Sequence, residues 1–187
     1  MATKDKLGII EKDNSILLII DVQENFKPVI SNWKILIENI NKLIKSFQIL
    51  KVPILVTEQY PKGLGKTIPE IQRNLAIYKP IAKREFSCFS NKSFLNKLKK
   101  LKKKNIIICG IEAHVCIINT LLDAISKGFN VHLVVDAISS RKEIDIKTAI
   151  QRAKQAGAFL ATTEMIIFQL TKTSTFKRFK DIIKIVK

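Results

Sequence analysis

Four apolar, β-branched runs, at residues 16–21, 52–57, 106–110 and 131–136, alternate with stretches whose apolar residues recur at helical spacing. That alternation leaves few folds open. A continuous apolar run suits a strand buried on both faces, and strands alternating with helices predict parallel βαβ units with helices on both sides of one sheet. Weaker strand patterns lie at 77–82 and 158–162, and helical patterns at 33–50, 92–103, 114–127 and 145–156. Two short helical segments, 164–170 and 176–186, close the chain. No internal repeat, low-complexity segment or interdomain linker interrupts the pattern, so residues 1–187 read as a single domain. The longest stretch without periodicity, 58–69, contains two glycines and two prolines and reads as an ordered-turn loop rather than a helix.

Ligands of open parallel sheets bind beyond the carboxyl ends of the strands. The first strand ends at Asp21, with Gln23 and Asn25 following; the second runs into Glu58, Gln59 and Tyr60. Lys83, Arg84 and Glu85 follow the weak third strand, and Glu112, His114 and Cys116 follow the fourth. Cys116 falls at a strand-to-helix junction, on the first turn of the expected helix. There the helix dipole and unpaired N–H groups favour an anion, so its thiol tends toward thiolate. Each residue also has a plainer role: Asp21 capping a turn, Lys83 on the surface, His114 as a hydrogen-bonded structural histidine, Cys116 as a buried small side chain. Taken together, a thiol, a carboxylate and a cation make a nucleophile with its base and an electropositive neighbour. From the residues alone both readings stay open.

The formal charge of +17 raises the question of nucleic acid. Most of it is lysine spread along the chain, with five arginines, whereas base and phosphate recognition lean on arginine and stacking aromatics. The densest run, residues 97–104, reads with Leu95, Leu98 and Leu101 as a helix with a thin apolar stripe and a solvated lysine face, so nucleic acid is not an expected partner. No apolar stretch approaches the ~20 residues of a membrane span, and the first residues lack a secretory pattern. Three cysteines without framework spacing argue against a disulfide scaffold. A cytoplasmic setting, with no membrane partner, is expected. Neither a Rossmann glycine fingerprint nor a phosphate-binding loop is present, so nucleotide binding has no support.

The segments LLIIDVQENF, VTEQYPKGLGKTIPE, AKREFSCFS, CGIEAHVCIINTLLDA, VVDAISSR and RAKQAGAFLATTEMIIFQL occur in this order. With them the chain resembles the isochorismatase-like cysteine hydrolase family, nearest its isochorismatase domain-containing and YcaC-like branch, from about Ile16 to the C-terminus. The resemblance implies a three-layer α/β/α fold with a mostly parallel six-stranded sheet of order 3-2-1-4-5-6. It implies a catalytic triad of Asp21, Lys83 and Cys116, with Arg84 the neighbouring alternative to Lys83. It also implies a non-proline cis peptide at Ile111–Glu112, which turns the N–H groups of Glu112 and Cys116 toward the reacting oxygen. Gln23, Phe26, Gln59 and Tyr60 are placed to line the substrate pocket. Nicotinamidases of the same superfamily hold a metal through an Asp and two His after the second strand. Residues 58–70 contain neither residue type, so no metal and no cofactor is expected.

The expected activity is hydrolysis of a small amide or related carbonyl compound through a thioester. The alternatives are vinyl-ether hydrolysis of the isochorismatase type, without covalent catalysis, and a non-catalytic interaction protein that keeps the fold. The resemblance implies a homo-oligomer, dimer or higher. Charge repulsion would otherwise keep the chains apart, and Ile166, Ile167, Phe168 and Leu170 ring a short helix that needs cover.

Overall fold

The computed structural model describes residues 6–187. Its strands are β1 (Ser15–Ile20), β2 (Ile54–Gln59), β3 (Ile81–Lys83), β4 (Asn105–Ile111), β5 (Asn130–Ser139) and β6 (Phe159–Ala161). They form one parallel sheet in the order β3-β2-β1-β4-β5-β6. The helices are α1 (Trp33–Ile49), α2 (Pro61–Leu64), α3 (Pro69–Gln72), α4 (Lys92–Leu101), α5 (Ile118–Ser126), α6 (Glu143–Gln155), α7 (Thr163–Thr171) and α8 (Phe179–Val186).

Every residue of β1 and β4 is buried, because both faces of the sheet are covered. Leu17, Ile19 and Ile107 pack on one side with Ile40, Leu43 and Phe47 of α1, Ile166 and Leu170 of α7 and Ile182 of α8. Leu18, Ile20 and Ile108 point the other way, into the core that holds Phe94 of α4, Leu121 of α5 and Ala149 and Ala153 of α6. The sheet is thus the middle layer of an α/β/α sandwich, and alternate residues of a strand feed opposite cores.

Several elements differ from their sequence pattern. The third strand is three residues at 81–83 rather than 77–82, and Ile77 is exposed. An edge strand needs little apolar pattern, so the run before it misleads. The second strand extends through Gln59, and the fifth through Ser139, where a register shift between Ile108 and Gly110 lengthens it. The 58–69 loop contains a helical turn at Pro61–Leu64, with another beginning at Pro69; both start on proline, whose fixed φ suits the first helical position. Cys116 lies not in an α-helix but in a π-helical turn, Ala113–Ile117, that precedes α5. Ile166, Ile167 and Leu170 of α7 are buried within the single chain, which leaves Met165 and Phe168 exposed.

Gly110 shows how tightly β4 lies against β1. It is in register with Ile20 at φ +120°, and a Cβ there would stand 2.1 Å from the Ile20 carbonyl oxygen. Only glycine lets β4 run past β1 into the segment that holds Cys116.

His132 of β5 lies nearly flat on Phe159 of β6, with 5.0 Å between ring centroids. Its Nε2 is buried without a hydrogen-bond partner among the described residues, and burial lowers its pKa to about 4. Between pH 6.5 and about 4 the unfolded chain binds a proton that the folded chain refuses. Stability from this group is therefore complete above pH 6.5 and declines through that window as pH falls, by roughly 3 kcal/mol. His132→Phe should flatten the loss of stability between pH 6.5 and 4, read from urea midpoints. An unchanged acid limb would show that His132 titrates normally.

Candidate active site

Asp21 follows β1 in a left-handed conformation, φ +54°, that swings its carboxylate over the strand ends. Its Oδ1 accepts from Thr57 Oγ1 at 2.7 Å, and its N–H donates to the Thr57 carbonyl at 3.2 Å. Lys83, the last residue of β3, donates from Nζ to Asp21 Oδ2 at 2.6 Å. The same ammonium donates to Gln59 Oε1 at 2.7 Å and to the Glu85 carbonyl at 3.2 Å, and lies 3.5 Å from Cys116 Sγ. Both charged side chains are fully buried, and Cys116 is 5% exposed. Three distant segments thus meet at one point beyond the carboxyl ends of β1, β3 and β4.

The electrostatics differ from a simple helix-terminus thiolate. Burial, reinforced by the Asp21 carboxylate, pushes the Cys116 thiol well above its ordinary value, and Lys83 only partly opposes this. Burial also works against the Lys83 ammonium, yet Asp21 and then Cys116 overrule it and hold its pKa above the usual lysine value. The resting site therefore pairs a protonated thiol with a carboxylate whose charge Lys83 compensates. The thiol also sits in a π turn and not on the first turn of a regular helix. The turn is short, and the Ile117 N–H donates to the Glu112 carbonyl at 3.2 Å, five residues back. The Ile111–Glu112 peptide is cis. The Glu112 carboxylate is tied to Arg141, whose Nε donates to Oε1 at 2.9 Å.

The expected pocket residues separate into different roles. Gln23 is fully buried and its side chain is spent on the fold. Nε2 donates to the Gln59 and Gly65 carbonyls at 3.0 and 2.7 Å, and Oε1 accepts from the Gln59 N–H at 2.7 Å. It clamps a loop rather than lining a pocket. Gln59 holds Lys83 and donates to the Arg84 carbonyl at 2.7 Å. Phe26 is half-buried against the core around α1. Tyr60 is 40% exposed, and the Arg84 guanidinium stands over its ring at 4.2 Å. Arg84 therefore points outward, away from the cysteine, and Glu85 is exposed while its carbonyl meets Lys83. His114 Nδ1 is 3.0 Å from Ser140 Oγ, a structural contact.

Tyr60, Pro61, Lys62 and Arg84 border a cleft of about 290 Å³ outside β3. It reaches Lys83, but neither Asp21 nor Cys116 lines it, so it flanks the cysteine site rather than containing it. Sequence pattern does not single out Thr57 or Arg141. Their one signal is position: each is a polar residue at or just past the carboxyl end of a strand. Among the described residues no cluster of three His, Cys, Asp or Glu side chains could hold a metal, and no helix is long and apolar enough to cross a membrane.

A family model described as the isochorismatase domain matches residues 15–165. Isochorismatase domain-containing protein 2 of Homo sapiens is 38% identical over the whole chain, which spans 89% of that protein. A solved structure described as MAR1 ribonuclease from Caenorhabditis elegans is 42% identical, with a TM-score of 0.89 over 95% of this chain and 91% of that one. YcaC of Escherichia coli, described as an octameric hydrolase of unknown specificity, is 26% identical, with a TM-score of 0.81 over 95% of this chain and 86% of its own.

Three free thiols of unequal access give the site a direct test. Cys88 and Cys109 are fully buried, and burial raises both thiols, Cys88 to about 11. Iodoacetamide should modify Cys116 first, with a rate that still climbs beyond pH 9 because its thiol pKa is raised. Lys83→Met removes the cation that opposes this rise and should slow alkylation at fixed pH by about tenfold. Peptide mapping after timed labelling decides it; equal labelling of all three cysteines would contradict the geometry.

Proposed function

The chain belongs to the isochorismatase family, and on that footing we propose that it is a cysteine hydrolase of a small amide or related carbonyl compound, acting through a thioester. The observation that carries this reading is the buried contact of Lys83 Nζ with both Asp21 Oδ2 and Cys116 Sγ. A protonated thiol needs a base at the moment of attack, and a carboxylate beside it needs a counter-charge to stay ionised without water.

In this mechanism Asp21 takes the Cys116 proton as Sγ bonds to the substrate carbonyl carbon, and the carbonyl π electrons move onto oxygen. The N–H groups of Glu112 and Cys116 bind that oxyanion, a contribution commonly of about 3 kcal/mol per donor. The oxyanion collapses, the carbon–nitrogen bond breaks, and the proton on Asp21 passes to the leaving amine. Asp21 then takes a proton from water as the water oxygen attacks the thioester; the carbon–sulfur bond breaks, the carboxylic acid is released, and Sγ takes the proton back from Asp21. Lys83 keeps its proton throughout and neutralises whichever of Asp21 and Cys116 carries the charge. Gln59 and Thr57 position Lys83 and Asp21. The ribonuclease name of the nematode relative is a poorer guide to this site, because a phosphodiester chain would have to reach a sulfur that is 5% exposed. Three free cysteines suit a reducing, cytoplasmic setting.

Cys116→Ala and Asp21→Asn should each reduce turnover on a responsive amide by about a thousandfold or more, with folding checked by circular dichroism. A slowly hydrolysed ester should leave a mass adduct on Cys116 of the wild type. Retained hydrolysis in Cys116→Ala would replace this reading with non-covalent vinyl-ether chemistry, and no turnover of any amide, ester or vinyl ether would favour an interaction protein.

We also propose a homo-oligomer, on the octameric state of the Escherichia coli relative and on the exposed Met165 and Phe168 of α7. Light scattering at moderate salt should return a multiple of 21.3 kDa. A single-chain mass at micromolar concentration would exclude it.

A further inference from the structure

A parallel sheet is entered from one edge, opposite the edge that carries Asp21, Lys83 and Cys116. On this chain a lysine precedes every strand. In sheet order these are Lys79 before β3, Lys51 before β2, Lys12 before β1, Lys102 before β4, Lys127 before β5 and Lys154 before β6. All six are exposed. Lysines scattered through the sequence are therefore gathered into a row by topology. Adjacent strands lie ~4.8 Å apart, so six entrances span roughly 24 Å. Glu11 and Asp13 also lie at this edge, and Glu11 is paired with Lys172 at 3.0 Å.

Helix dipoles explain part of the row. The helices that follow the strands end at this edge, and cations suit helix C-termini. Lys99 and Lys100 of α4 and Lys154 of α6 sit in such last turns. The dipole also favours a cation at Lys51, Lys102 and Lys172, but it does not explain why a lysine and not glycine takes their backbone conformation. They stand just past the ends of α1, α4 and α7 at positive φ, +59°, +52° and +66°. Glycine is the usual residue there because a Cβ is disfavoured. After α5 and α6 the chain does place glycine at positive φ, at Gly128 and Gly157. Three helix ends thus keep a lysine where glycine would fold better.

Composition alone gave no reason to expect nucleic acid, but the placement of these lysines does, and we propose that this edge binds the phosphodiester backbone of a nucleic acid without reading its sequence. Six strand entrances in a line, each preceded by a lysine, suit a linear polyanion better than a membrane plane, and ~24 Å of duplex presents about seven phosphates of one strand. Lysine ammonium groups hold phosphates and position the chain, while base reading would call for other contacts. The surface is separate from the cysteine site and implies binding, not cleavage.

The test is fluorescence anisotropy of the full chain with a labelled 20-nucleotide single-stranded RNA and a duplex DNA of equal length, across a salt series. Binding should be micromolar at low salt, with a slope of log affinity against log salt of about −4. The pair Lys51→Gly and Lys102→Gly should weaken binding about fivefold or more and make the slope shallower by about 1 to 2, while raising Tm by about 2 °C or more. Lys34→Gln with Lys142→Gln removes the same charge from the opposite edge and should leave binding unchanged. Equal weakening by both pairs would reduce the effect to bulk charge and overturn the proposal. So would no binding to either nucleic acid at low salt, or binding to phosphatidylserine vesicles alone.

Discussion

The pairing of Lys83 with Asp21 is the constraint around which the site is arranged. Both side chains are fully buried at 2.6 Å. Taking each charge out of water costs several kcal/mol, and removal of one partner alone typically destabilises by about 3–5 kcal/mol. Such a pair persists only if the remaining polar capacity is satisfied. Thr57 donates to the free carboxylate oxygen, and Gln59 and the Glu85 carbonyl take the other ammonium hydrogens. Gln23 then fixes Gln59 from behind. This network ties the ends of β1, β2 and β3 to one another in addition to their ladder.

The fold prepares the place where the pair can form. A parallel sheet puts all carboxyl ends on one edge, and the two buried central strands leave no freedom in register. At Gly110 the two strands lie too close for any Cβ. Beyond it the chain turns through the cis peptide at Ile111–Glu112 into the π turn, which delivers the Cys116 sulfur beside Lys83 rather than along a regular helix axis. The thiol is then governed more by burial and the neighbouring carboxylate than by a helix end. In the proposed mechanism the attack of Cys116 therefore depends on a base within reach, and less on a standing thiolate.

Charge follows the same polarity in part, although α1 and α4 carry Lys34 and Lys92 and no acidic residue in their first turns. Glu143 and Asp145 open α6, and Glu164 opens α7, near the carboxyl edge; lysines collect where helices end. Helix dipoles favour this separation, but the lysines held at positive φ exceed what dipoles ask for.

Much of this was legible along the chain. Buried strands declared themselves as apolar runs, covering helices as 3.6-residue periods, and the strand order followed from the resemblance. Asp21, Lys83 and Cys116 stood at strand ends, where parallel sheets place ligands. Less legible were elements whose identity depends on partners. The short β3 pairs only along one side, and α7 finds cover for Ile166, Ile167 and Leu170 within its own chain. Gln23 and Gln59 look alike in sequence, yet one is a buried clamp and the other holds the Lys83 ammonium, since hydrogen-bond partners come from segments far apart in the chain. Local pattern determined the elements and the chemistry available to them, because periodicity and residue type act over a few neighbours. Which carboxylate meets which cation, how high burial drives the thiol, and where scattered lysines converge were decided only by tertiary structure, since distance and exclusion of water are properties of the packed chain.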